Sequence, residues 1–192
     1  MKRALRREIK ERIAGLNHEE KRCLSGAILR EIEQLPEFKK AKNILLFWSL
    51  PDEVFTHDFL EKWHKQKTLL LPVINGDELE LRHYEGDETL KTGAFGIKEP
   101  QGKRFTEWDK VDMTLVPGVA FDCNQNRLGR GKGYYDRLLP KISGTKIGIC
   151  FPCQLVEAIP CREWDVKMDF VASPPTPLHK RGVTKQEGHS NN

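Results

Sequence analysis

Apolar residues recur every three to four positions at the start of the chain. Leu5, Ile9, Ile13 and Leu16 form one stripe at about 100° per residue, which predicts an amphipathic helix. Lys2 falls within the angular range of that stripe and Arg6 at its border, so the two are neighbours on one face. Arg3, Arg7 and Lys10 point further away. Asn17 followed by Glu20 reads as a capping box, opening a second helix that runs to about residue 35, ahead of Pro36. The pattern then changes. Residues 43–48, NILLFW, and 68–73 are continuous apolar runs of the kind found in strands covered on both faces, with a helix expected over 56–66 between them. Residues 78–84 alternate apolar and polar, as an edge strand does, and 85–107 predict a long excursion rich in Gly, Lys and Glu. Residues 112–116 and 119–121 supply the next strand, followed by a glycine-rich segment and a helix from near Tyr134. Further strands are expected over 146–150 and 168–172.

Strands alternating with helices predict an α/β fold, a single-domain three-layer sandwich around a mainly parallel, Rossmann-like sheet spanning 1–172. The tail 173–192, with two adjacent prolines and little apolar content, is expected to be disordered.

Composition narrows the function classes. At 192 residues, 38% hydrophobic and 31% charged, the chain suits one water-soluble domain. No apolar stretch approaches the roughly 18 residues that would span a membrane. The opening MKRALRREIKER has no apolar run after it and carries Glu8 and Glu11, unlike a secretory or transit signal, so a cytoplasmic location is expected. Five cysteines, an odd number, argue against a disulfide framework. Cys150 and Cys153 form a CxxC pair that could be redox-active or bind zinc, but its spacing with Cys123 or Cys161 fits no standard zinc pattern, and reduced, partly buried thiols are the expectation.

The net charge of +4 is focal. Residues 1–12 hold six cations against Glu8 and Glu11, and residues 127–146 hold six against Asp136, leaving the remainder of the chain at −5. Nucleic-acid binders spread cations along a face to meet many phosphates, whereas two foci suit a small polyphosphate.

The second focus contains RLGRGKGYYDR, residues 127–137, with Gly129, Gly131 and Gly133 between Arg127, Arg130 and Lys132. Between a strand and a helix, such glycines can form a backbone nest for an anion, with the helix adding its positive end. Arg130 and Lys132 would supply charge-assisted contacts to phosphoryl oxygens, and Asp136 could hold Mg²⁺ through a carboxylate oxygen. The spacing GxGxG matches neither a Walker A loop nor the GxGxxG dinucleotide fingerprint. A flexible surface turn or an RGG-like segment remain alternatives.

The run VPGVAFDCNQNRLGRGKGYYDR, residues 116–137, closely resembles the hallmark of the 5-formyltetrahydrofolate cyclo-ligase family. KRALR, FWSLPDEV, FGIKEP, KIGICFPCQ and WDVKMDFV extend the resemblance over about residues 2–171. It implies a reaction in which 5-formyltetrahydrofolate and MgATP give 5,10-methenyltetrahydrofolate, ADP and phosphate through a phosphorylated formyl group. It further implies that Lys2, Arg6, Arg127, Gly129, Arg130, Gly131, Lys132, Gly133, Tyr134 and Tyr135 contact ATP. Arg130 and Lys132 then serve as catalytic cations, Trp48, Glu53, Arg130 and Tyr134 meet folate, and Asp136 and Asp169 bind Mg²⁺. A monomer is expected, with a weak dimer as the alternative, and neither nucleic acid nor membrane as a partner. The chain departs from the family pattern at Trp164-Asp165, where many relatives have His-Asp, and at Ala172-Ser173, where they often have Thr-Glu. Those departures motivate a second reading, a non-catalytic folate or nucleotide binding protein.

Overall fold

A computed structural model describes residues 1–93, 96–162, 165–174 and 176–180. The N-terminal third is helical: α1 (Lys2–Ala14), α2 (His18–Gln34) and α3 (Pro36–Lys40). The stripe on α1 buries Ile9 and Ile13 completely or nearly so. The capping box forms as expected, with the Glu20 N–H donating to Asn17 Oδ1 at 3.0 Å and the Asn17 N–H donating to Glu20 Oε2 at 2.8 Å. Then come β1 (Asn43–Leu45), α4 (His57–Trp63), β2 (Thr68–Asn75) and β3 (Glu78–His83). The excursion holds a small hairpin, β4 (Leu90–Thr92) with β5 (Lys98–Pro100), and a short strand β6 (Arg104–Phe105). The remaining elements are β7 (Met113–Val116), β8 (Ala120–Asp122), β9 (Arg127–Leu128), α5 (Tyr134–Leu138), β10 (Thr145–Ile149), β11 (Leu155–Val156), β12 (Phe170–Ser173) and β13 (Thr176–Lys180).

The main sheet has eight strands in the order β13-β12-β10-β7-β1-β2-β3-β6. Its five central strands pair in parallel, and β3, β6 and β13 pair antiparallel at the margins. Period-two burial explains why the central runs are apolar throughout. Ile44, Leu46, Leu69 and Leu71 face the layer of α1 to α4, while Leu45 and Leu70 face Leu138 and Ile142 on the opposite side. These are the three layers expected of an α/β sandwich. Two expectations change. Residues 119–121 do not continue β7 but join a separate three-stranded sheet, β11-β8-β9, and 78–84 is not an outer edge because β6 covers it. The tail expected to be disordered from Ser173 contributes β13, and residues 181–192 lie outside the described residues.

Below the sheet, Phe121 fills a slot made by two glycines. A Cβ on Gly148 of β10 would lie 2.4 Å from the Phe121 ring, and one on Gly118 would lie 2.7 Å from it. Cys150 is buried beside Phe121, and burial pushes its thiol up to about 12, while burial also raises Cys153. Neither is poised as a thiolate, the form that redox exchange and metal ligation require. Above pH 9 the unfolded Cys150 loses its proton while the folded one keeps it, so the native state binds more protons and stability falls as pH rises. We expect Cys150→Ala to remove a slope of about 1.4 kcal/mol per pH unit between roughly pH 9 and 12, read from urea unfolding. An unchanged slope would show that the thiol is not held protonated.

Candidate active site

Strand order reverses at β1 and β7: the chain passes from β1 to β2 on one side, and later β7 and β10 lie on the other. Such a switch point opens a crevice beyond the carboxyl ends of the strands, where open α/β sheets bind ligands. A cavity of about 410 Å³ occupies that crevice. Its apolar wall is Phe47, Trp48 and Leu50 after β1, with Pro72, Ile74 and Leu79 from the β2–β3 ribbon. Its polar wall is the glycine segment from Gly129 to Asp136. A second cavity, of about 140 Å³, adjoins it across Gly118 and Arg130 and reaches α1 at Arg6 and Lys10.

The glycine segment needs its glycines. Gly131 (φ +105°) and Gly133 (φ +73°) adopt conformations that side chains with a Cβ rarely reach. The helix that follows is only five residues long, so it adds little of the positive end anticipated for it. What supplies positive potential instead is convergence. Arg6 Nε donates to the Gly129 carbonyl at 2.8 Å, joining the two basic segments across 123 residues of sequence.

Arg127 is buried, its guanidinium fixed to Asp136 Oδ1 at 2.5 Å and to the Pro117 carbonyl at 3.2 Å. Burial lowers its pKa and the Asp136 carboxylate opposes that shift. Tyr135 packs under this guanidinium, and its hydroxyl is buried without a hydrogen-bond partner. Burial holds that phenol protonated well above the usual range. Tyr134 lines the cleft, with Arg137 stacked 5.5 Å over its ring and held by the Asp77 carbonyl of the β2–β3 turn. Lys132 is exposed on the cleft, with no ion pair among the described residues.

Across the cleft, Glu53 is largely enclosed, at 10% side-chain exposure, and accepts the Leu50 N–H at 2.9 Å. Burial raises its pKa, and the charge of Arg130 offsets this only in part. Burial would also raise Asp52, but the hydrogen bond and charge of Arg130 outweigh it and lower the pKa. Trp48 stacks on His57 with ring centroids 3.7 Å apart at 17°. The His57 Nε2–H donates to the Ser49 carbonyl at 3.2 Å, and burial lowers the imidazole pKa, so the ring supports the indole in its neutral form.

Most expected site residues therefore gather at one cleft, and three expectations are revised. Asp169 lies before β12, at the amino end of the parallel sheet, where its carboxylate accepts the Lys146 N–H at 2.8 Å. It lines neither cavity, whereas Asp136 lines the first. Lys2 turns to Asp165, 3.7 Å away, and lines neither cavity, whereas Lys10, expected to point away, lines the second one. Ala172 is wholly buried against the helical layer, so that departure is a matter of core packing, and Trp164 lies outside the described residues. Sequence reasoning missed Asp52, His57 and Lys10. Only the acidic pair at 52–53 in a loop after a buried strand offered a signal.

No cluster of three or more His, Cys, Asp or Glu among the described residues could hold a metal by itself. Asp136 nevertheless fits Mg²⁺, because that ion is commonly held by one or two carboxylates together with substrate phosphates. Its side chain is 59% exposed, and Arg127 engages Oδ1 only.

Residues 1–174 match the model of the 5-formyltetrahydrofolate cyclo-ligase family. A 5-formyltetrahydrofolate cyclo-ligase of Haemophilus influenzae is 31% identical over 173 residues, covering 85% of this chain and 92% of the relative. The solved 5,10-methenyltetrahydrofolate synthetase of Aquifex aeolicus superposes with a TM-score of 0.86 at 37% identity, covering 98% of this chain and 97% of that one. The synthetase from Mycoplasma pneumoniae gives 0.73 at 29% identity, covering 89% and 97%. The match therefore includes both walls of the cleft, and the chain belongs to the 5-formyltetrahydrofolate cyclo-ligase family.

Proposed function

We propose that the enzyme binds 5-formyltetrahydrofolate against the Trp48 and Glu53 wall and the ATP triphosphate along residues 127–135, and closes the 5,10-methenyl ring. The observation that carries this reading is the meeting of the two basic segments at the crevice, through the Arg6 to Gly129 contact. Converging cations of this kind suit a compact polyphosphate.

The chemistry asks for alignment more than for acid or base. A formyl oxygen is a poor leaving group, so in this proposal it attacks the γ-phosphorus, ADP departs, and an imidate phosphate results. N10 then attacks the formyl carbon and loses its proton, and phosphate leaves with the former formyl oxygen. The protein's part is to hold formyl oxygen and phosphorus in line and to neutralise charge on the transferred group. Lys132, on the cleft with no ion pair among the described residues, is placed to do the latter. Arg6 and Lys10 would meet the outer phosphates from the second cavity. Bound Mg²⁺ would supply further charge neutralisation, with Asp136 as its protein carboxylate.

Trp48 offers a flat apolar surface already braced from behind by His57, which suits a pterin ring. Glu53 can accept hydrogen bonds from the pterin's donor edge.

The test is an absorbance time course with 5-formyltetrahydrofolate and MgATP. We expect methenyltetrahydrofolate to appear only with ATP, and the rate to fall on the order of 10²-fold or more in Lys132→Ala. No product from folded, folate-binding enzyme would instead favour the non-catalytic reading, and full activity in the variant would remove Lys132 from the reaction.

A further inference from the structure

Arg130 stands between the two cavities, and its hydrogen bonds divide by edge. A guanidinium carries five N–H donors. The end edge meets Asp52, with Nη1 to Oδ2 at 3.1 Å and Nη2 to Oδ1 at 2.7 Å. The side edge converges on one oxygen of Glu53, with Nε to Oε1 at 3.1 Å and Nη2 to Oε1 at 2.9 Å. Both edges are thus occupied by carboxylates, and neither is open to a phosphoryl group.

We propose that Asp52 is a positioning residue that keeps the end edge of Arg130, and that folate, by taking Glu53, releases the side edge to the transferred phosphoryl group. This rests on the function proposed above. The two partners differ in the way the exchange needs. Asp52 uses both oxygens in a parallel two-pronged pair, the stronger geometry, whereas Glu53 offers a single oxygen to two donors. Glu53 is also largely enclosed, at 10% side-chain exposure, so its carboxylate requires donors, which either Arg130 or a pterin can supply. Once free, Nε–H and Nη2–H form the same fork that grips two phosphate oxygens. With the end edge still held by Asp52, the fork turns towards the phosphate without losing its place.

Two consequences follow physically. Folate and nucleotide must help each other to bind, because the same contact opposes both, and the coupling is reciprocal. ATP bound without folate finds Arg130 withheld, which suppresses wasteful hydrolysis.

The experiment measures affinity for Mg²⁺ with the β,γ-imido analogue of ATP by calorimetry, with and without saturating 5-formyltetrahydrofolate. We expect folate to tighten nucleotide binding at least about fivefold in the wild type. Glu53→Gln, which loosens the side edge, should bind the analogue about fivefold tighter than wild type without folate, a gain that structural damage would not produce. Asp52→Asn should lose about tenfold in kcat, with the folate KM within about twofold of wild type. Equal nucleotide affinity with and without folate overturns the exchange, as does weaker binding by Glu53→Gln. An unchanged kcat in Asp52→Asn overturns the positioning role. If Glu53→Gln does not fold, the wild-type coupling decides alone. Wild-type turnover without coupling rejects this inference only, whereas absence of turnover rejects the proposed function with it.

Discussion

Arg130→Ala is expected to lower turnover by a factor on the order of 10³ while leaving the fold in place. The chemical loss is large because the guanidinium is proposed to stabilise charge that develops on the transferred phosphoryl group, where one arginine is commonly worth that much. The stability loss should be moderate, about 1–3 kcal/mol: the pair with Asp52 is 46% and 35% exposed and contributes little in water, but the largely enclosed Glu53 carboxylate loses two of its donors. A second signature concerns Glu53. Burial already raises its pKa, and Arg130 is the charge that opposes the rise. Without it the carboxyl titrates higher, so folate binding should fail at a higher pH on acidification than in the wild type. Arg130→Lys restores charge but cannot serve two carboxylates along two edges, so it should recover no more than about a tenth of activity. Steady-state rates at saturating ATP and folate, with a thermal melt as control, decide the matter. Activity above a tenth of wild type in Arg130→Ala would remove Arg130 from the chemistry.

Phe121→Ala is expected to cost about 3–5 kcal/mol, the largest stability effect we anticipate. Phe121 is fully buried, and its ring occupies space that Gly118 and Gly148 leave by having no side chain. Neither glycine can fill the hole, so collapse around the missing ring is limited and the cost belongs in the upper range. The reverse substitution makes the same point. Gly148→Ala should destabilise by about 1–3 kcal/mol through overpacking, and by less in a Phe121→Leu background, giving a non-additive double-mutant cycle. The effect should also reach function, because Gly118 lines both cavities at the end of β7. A loss below about 1.5 kcal/mol by urea unfolding would mean that the slot closes, contrary to this packing argument.

Local chemistry was readable along the chain. The α1 stripe and the Asn17–Glu20 box depend on residues within a turn or two of each other, and the apolar runs of β1 and β2 on burial alone. In residues 127–137 glycine density and interleaved cations led to the expectation of a phosphate site, and the GxGxG spacing kept them apart from the standard nucleotide motifs. Short strands such as β6, β9 and β11 left no signature, since two residues carry no periodicity and their pairing partners are distant.

Residue types and their order thus carry the class of fold, the family and the chemical character of one wall of the cleft. Which residues share that cleft follows only from how the elements pack. Asp169 and Asp136 look equivalent as carboxylates, yet a parallel sheet has two ends, and pairing with β10 puts Asp169 at the end away from the crevice. Asp52 and Glu53 look like one acidic pair, yet they grip different edges of Arg130, from a loop 78 and 77 residues away. Lys10 gained its place from the way α1 packs on the glycine segment, and Lys2 lost its own to Asp165. The physical reason is the same in each case. Chemical character is a property of a side chain, whereas proximity depends on strand order and helix docking, which distant parts of the chain settle together.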